Sequence, residues 1–219
     1  MNQQALKIDG NDNLIIFFAG WSSHPNQFTN LNFAGHDMVV VYDYCDLNYQ
    51  IIDCSHYKRT TIIAWSFGVW AAQTVWHLLP QNSLKIAING TPNPIDDTEG
   101  IPIKIFDLTL SSIEKSGIDK FNERMCLDQI TDFIKSDRSF QSQIEELRQI
   151  GKEVKVQNTI VKNWDYAIIG SRDKIFPQKN MLNYWDKKSN FAPIILNIPH
   201  YPFTLECREK LTELINFDR

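Results

Sequence analysis

Long apolar runs are missing from this 219-residue chain. The most extended, Leu14–Trp21, falls far short of the ~20 residues that a membrane-spanning helix requires, so no membrane role is expected. A basic excess is missing too: 22 Lys and Arg stand against 26 Asp and Glu, a net charge of −4. Non-specific nucleic-acid binding rests on clustered cations meeting phosphates, and none is expected here. Cysteine is sparse and scattered, at Cys45, Cys54, Cys126 and Cys207, with no C-x-x-C pair and no histidine at ligand spacing. That argues against a zinc site. The first residues, MNQQALKIDGND, lack a basic segment followed by an apolar one. No signal peptide is read there, and a cytoplasmic protein with reduced thiols is the expectation.

What is present suits a single α/β domain spanning residues 1–219. Hydrophobic residues make up 43% and aromatics 12%, enough to build a core rather than stay disordered. Short β-type runs recur at Leu14–Ala19, Met38–Tyr42, Thr60–Trp65, Leu84–Ile88, Tyr166–Ile169 and Pro193–Ile198. Most are continuous rather than alternating, as in strands buried on both faces of a parallel sheet. Helices are expected at Gly68–Leu79, ended by Pro80, at Gln178–Lys187, and around Thr204–Ile215. Strand–helix–strand alternation predicts a mostly parallel sheet with helices on both faces. From about Ile103 to Lys155 the pattern breaks. Ile118, Phe121 and Met125, then Ile130, Phe133 and Ile134, then Phe140, Ile144 and Leu147 follow helical spacing. We read a helical lid insertion there, either packing on the body alone or also walling a pocket.

The segment Arg59–Trp70, RTTIIAWSFGVW, carries the most chemistry. A strand-like run ends at Ala64-Trp65-Ser66-Phe67-Gly68 and a helix-like run begins at once. That is the form of a nucleophile elbow, with Ala64 at the first position of G-x-S-x-G. The alternative is a serine that only caps a helix after a buried strand. A serine hydroxyl needs a base and a group that orients the base. Among His24, His36, His56, His77 and His200, only His200 follows the last strand directly, where it can reach back over the sheet edge. The favoured acid is Asp173, past the Tyr166–Ile169 strand, giving the order Ser66, Asp173, His200; Asp96 and Asp97 are the alternates. An oxyanion hole calls for two backbone N–H donors. Phe67 follows the nucleophile, and Trp21 lies in the loop after the first strand, where Gly20 lets the backbone turn. Trp21, Trp65 and Trp70 are candidate walls of an acyl channel, or equally core residues.

Assembled, the chain resembles the BioG family of pimeloyl-[acyl-carrier protein] methyl ester esterases, α/β-hydrolases of biotin synthesis. The resemblance rests on FFAGW (Phe17–Trp21), VVVYDYCDLN (Val39–Asn48), IIAWSFGVW (Ile62–Trp70), AINGTPNPIDDTEGIP (Ala87–Pro102), GSRDKIFP (Gly170–Pro177) and IPHYPF (Ile198–Phe203). It implies the α/β-hydrolase fold, Ser66, Asp173 and His200 as a triad, and cleavage of the ω-methyl ester of pimeloyl-carrier protein without a cofactor. It implies an acidic carrier protein as partner; the protein itself is expected to be a monomer. A basic docking surface is not evident, because the cations of Ile103–Lys155 are mixed with acids. Arg124, beside the apolar Phe121–Met125 face, is the favoured docking residue. Phe121, Arg124 and Met125 join Trp65 and Trp70 as substrate-binding candidates. A general carboxylesterase or thioesterase on free esters is the competing reading, and a non-catalytic binding protein a third.

Overall fold

The computed structural model describes residues 1–31, 33–156 and 163–216. Residues 32, 157–162 and 217–219, which the single-domain reading of the whole chain took in, lie outside the described residues. Seven strands form one sheet: β1 (Asn2–Lys7), β2 (Asn13–Phe18), β3 (His36–Tyr42), β4 (Arg59–Trp65), β5 (Leu84–Ile88), β6 (Tyr166–Gly170) and β7 (Ile194–Leu196). Their spatial order is β1-β3-β2-β4-β5-β6-β7, and every pairing is parallel except β1 with β3. The central strands β2 and β4 are buried over nearly their whole length. Their unbroken apolar sequences follow from cover on both faces.

The strand order places the site. From β2 the chain crosses to β3 on one side, and from β4 it crosses to β5 on the other. Connections leaving two adjacent parallel strands in opposite directions open a crevice beyond their carboxyl ends. Residues 19–22 follow β2 and Ser66 follows β4, so both border that crevice.

Four elements depart from the sequence expectation, one of them the Ile130, Phe133 and Ile134 group, which falls on a 3-10 stretch ending at Asp132 with Phe133 extended rather than on an α-helix. β1 was not anticipated: NQQALK is mostly polar and half exposed. It is held by antiparallel pairing with β3 and by the chain's first amino group, which donates to the Asp46 backbone carbonyl (2.9 Å) and carboxylate (2.6 Å). The helix after Ser66, α1 (Phe67–Thr74), stops early and gives way to a 3-10 turn at Trp76–Leu78. Thr74 Oγ1 donates back to the Ala71 carbonyl (2.7 Å), and Val75 leaves helical geometry. A β-branched pair with a back-bonding hydroxyl weakens a helix at that point. The final strand is shorter than expected and confined to Ile194–Leu196.

Between β5 and β6 lie α2 (Ile103–Ser116), α3 (Asp119–Cys126), a 3-10 stretch at Leu127–Asp132, and α4 (Phe140–Val156). Gly117 ends α2 at φ +83, a conformation that disfavours a side chain. These helices bury Phe106 and Ile113, Met125, and Ile144, Leu147 and Ile150 respectively. Two further helices, α5 (Gln178–Lys188) and α6 (Leu205–Asn216), flank β7 in sequence.

Candidate active site

Ser66 sits at φ 59, ψ −127, in the sharp turn between β4 and α1. Non-glycine residues avoid this region, so the turn is strained and must be held by its surroundings. Two glycines make the room. A Cβ on Gly68 would lie 2.2 Å from the Phe18 carbonyl oxygen, and one on Gly90 would lie 2.4 Å from that of Ser66. The Ser66 N–H donates to the Ile88 carbonyl at 2.9 Å. Its side chain makes no capping bond to α1, so the helix-cap alternative does not describe it.

The Ser66 Oγ lies 2.9 Å from His200 Nε2, and His200 Nδ1 lies 2.7 Å from Asp173 Oδ2. All three residues are buried. With the imidazole proton on Nδ1 facing the carboxylate, Nε2 is left as an acceptor toward the serine hydroxyl. Asp173 is fixed through its other oxygen, which accepts from the Ile175 (2.7 Å) and Phe176 (2.9 Å) N–H groups. The alternates are engaged elsewhere. Asp96 accepts from the Thr98 and Glu99 N–H groups, and Asp97 from that of Ile103.

Sequence reasoning missed the residues that hold His200. The Phe176 ring stacks on the imidazole at 5.8 Å and an angle of 6°. The His200 carbonyl accepts from the Trp65 indole N–H (2.8 Å) and from Asn89 Nδ2 (3.0 Å). Asn89, at φ 48, also donates to the Pro199 carbonyl and accepts from the Gly170 N–H. One amide side chain therefore joins the loops after β5, β6 and β7. The left-handed backbone that Asn tolerates in N-G was the only available sign of it.

Neither the Trp21 nor the Phe67 backbone N–H donates to an acceptor among the described residues. Phe67, at the start of α1, has no partner one turn earlier. Gly20 is required for space rather than for turning, because a Cβ there would come within 2.8 Å of the Trp65 ring. The Trp21 side chain reaches the helical insertion, its indole N–H donating to the Gln143 carbonyl of α4 at 2.6 Å.

In front of Ser66 lies a cavity that, counted with the solvent at its open mouth, spans about 500 Å³. Trp21, Trp65, Phe67 and His200 line it from the body. The insertion supplies Ile105, Phe106 and Thr109 from α2, Phe121, Arg124 and Met125 from α3, and Leu147 from α4. The insertion thus walls a pocket as well as packing on the body. Ile101, Lys174 and Ile175 complete the lining. Trp70 is a correction to the expected channel. It is buried on α1 and absent from the lining, because it lies one helical turn beyond the elbow within the core. Arg124 and Lys174 are exposed at the cavity, and Arg124 Nη2 lies 3.5 Å from Thr109 Oγ1.

Comparison with known proteins places this geometry. Residues 1–207 match the family model described as "Pimeloyl-ACP methyl esterase BioG". The crystal structure of BioG from Haemophilus influenzae superposes with a TM-score of 0.82 at 32% identity, over 93% of this chain and 95% of that one. A protein of Bacteroides fragilis named malonyl-[acyl-carrier protein] O-methyltransferase is 38% identical over 184 residues, 80% of this chain. The match spans only 37% of that protein's length. An esterase from Exiguobacterium antarcticum shares the fold at 15% identity, with a TM-score of 0.69 over 97% of this chain and 92% of that one. The fold is that of the α/β-hydrolases. A chain matched by one family model over nearly its whole length, and superposing on a solved member, belongs to the BioG family of pimeloyl-ACP methyl esterases.

Proposed function

We infer that this chain is a serine esterase that removes the terminal methyl group of a pimeloyl methyl ester carried on acyl-carrier protein. The observation that carries this reading is an apolar-walled cavity ending at the Ser66–His200–Asp173 hydrogen-bonded chain, in a member of the BioG family. In the proposed reaction Ser66 Oγ attacks the ester carbonyl while His200 Nε2 takes its proton. The Trp21 and Phe67 N–H groups hold the oxyanion, each worth about 3 kcal/mol in such sites. Collapse expels methanol, which receives the proton from His200. Water then attacks the acyl-enzyme with His200 as base, freeing Ser66 and the carboxylate.

The walls suit the substrate. A pimeloyl chain is a row of methylenes, each gaining about 0.8 kcal/mol on leaving water. The carrier end would pass outward beside Arg124 and Lys174, whose charges complement an acidic partner.

Methanol release from pimeloyl-carrier protein methyl ester and from free dimethyl pimelate, with wild type and Ser66→Ala, tests the reading. Turnover of the carrier-bound ester that disappears in Ser66→Ala is expected. Serine-dependent turnover of the free ester alone would leave a general carboxylesterase. No serine-dependent turnover of either would remove the esterase reading.

A further inference from the structure

The Glu146 carboxylate is completely buried where α4 meets the loops after β2 and β3. Its Oε2 accepts from the Ser22 backbone N–H at 3.1 Å and from Arg138 Nη1 at 2.5 Å. Its Oε1 accepts from the Tyr44 backbone N–H at 3.0 Å. Arg138 in turn reaches Asp43 at 2.9 Å. All of Glu146's partners are donors, so this arrangement uses the ionised carboxylate. Burial pushes its pKa up, and Arg138 and the Tyr44 N–H pull against that. A buried charge kept at this cost without touching the cavity calls for a role.

Ser22 is the residue after Trp21, and it adopts φ 67. Consecutive amides share a carbon, so fixing the Ser22 N–H fixes the peptide plane that follows Trp21. Gln143, one turn earlier on α4, holds the Trp21 indole from the other end. Two successive turns of the insertion thereby grip both sides of Trp21, whose N–H is the proposed oxyanion donor. We propose that Glu146 is a positioning residue for the reaction: it orients the Trp21–Ser22 loop so that the Trp21 N–H is aimed at the oxyanion before substrate arrives. The inference rests on the esterase reading above. It predicts that damage at Glu146 appears in the transition state and not in substrate binding, because Glu146 does not line the cavity and acts only through the oxyanion donor.

The test is Glu146→Gln, an isosteric change that turns one acceptor into an NH₂ group facing donors. Leu79→Ala, a core truncation outside the cavity, serves as the control for lost stability. Folded protein is assayed for kcat and KM, for thermal midpoint, and for inhibition by an alkyl trifluoromethyl ketone, which forms a tetrahedral oxyanion on the serine. In Glu146→Gln we expect kcat to fall about tenfold or more, as for a misaimed oxyanion donor, with KM within about twofold. Ketone affinity should weaken in parallel. Leu79→Ala should lower the midpoint and leave kcat unchanged. The proposal is overturned if Glu146→Gln keeps wild-type kcat and ketone affinity, or if its loss lies in KM alone. It is overturned too if Leu79→Ala loses kcat equally at the same midpoint. Wild type and Ser66→Ala in the same assay keep the two readings apart. Absence of serine-dependent turnover in wild type counts against the esterase reading, and an intact Glu146→Gln counts against positioning alone.

Discussion

Asp173 does two jobs with its two oxygens. One faces His200 Nδ1, and the other closes the turn at Ile175 and Phe176. In Asp173→Asn the amide can satisfy only one of these. If its oxygen stays with the turn, its NH₂ faces the imidazole and selects the tautomer with the proton on Nε2. That tautomer cannot accept from Ser66, so kcat should drop by about 10³- to 10⁴-fold. A stopped-time assay with KM held near wild type would bear this out, and a loss under tenfold would contradict the role. Gly90→Ala tests the strained elbow itself. The new methyl would press on the Ser66 carbonyl, which should cost about 1–3 kcal/mol in stability by urea denaturation and displace the Ser66 hydroxyl. At this scale Ser66, Asp173 and His200 were legible because each has a local sequence sign beside a strand end. Asn89 and Glu146 were not, since the loops they tie down, at Gly170 and at Ser22, lie 81 and 124 positions away. Glu146 did leave a trace, as a charge at helical spacing from Gln143 and Ile150 on the inward face of α4.

The parallel strands were readable from sequence because burial on both faces leaves continuous apolar runs. β1 was not, because an exposed edge strand is held by backbone pairing and an amino-group contact rather than by an apolar pattern. The break after α1 escaped notice because helical periodicity continues in the sequence across Thr74 and Val75. Spacing caught α3 and α4 of the insertion but named no residues of α2, and periodicity could not tell which faces meet the cavity. Phe121 of α3 meets the Trp21 ring edge-on at 5.0 Å and lines that cavity. Phe121→Ala should raise KM for the carrier-bound ester by about tenfold to a hundredfold, the range for trimming an apolar wall. KM for methyl acetate, too short to reach α3, should stay unchanged. An equal rise for both esters would mean that the substitution disturbs the elbow instead.

Stability of the whole molecule draws on a carboxylate at the opposite end of the sheet from the site. Asp37, buried on β3, accepts from the Asp9 N–H (3.0 Å), the Asn11 N–H (3.1 Å), the Asn11 side chain (2.8 Å) and the Tyr57 hydroxyl (3.1 Å). Burial opposes its charge, but the bonds from Asn11, Asp9 and Tyr57 prevail and hold its pKa down to about 2. Because the folded pKa is depressed, the ionised group stabilises the fold above its unfolded pKa of about 3.9. That contribution fades as pH falls toward about 2. Asp37→Asn should therefore lower the thermal midpoint at pH 7, and the gap from wild type should narrow as pH falls from about 4 to about 2. A gap constant with pH would rule out this origin.

The grip of α4 on Trp21 and Ser22 also limits how substrate range can be traded between relatives. The insertion is two parts with different dependence on the body. Its first part, α2 and α3, contributes walls and carries Ile103, Ile105 and Leu108 in the open. Its last part carries Gln143 and Glu146 into the body's own loop. A chimera that imports α2 and α3 from another family member should keep its chemistry and change its acyl preference. On the positioning role proposed for Glu146, one that imports the entire insertion should turn over well only when the loop after β2 is transplanted alongside.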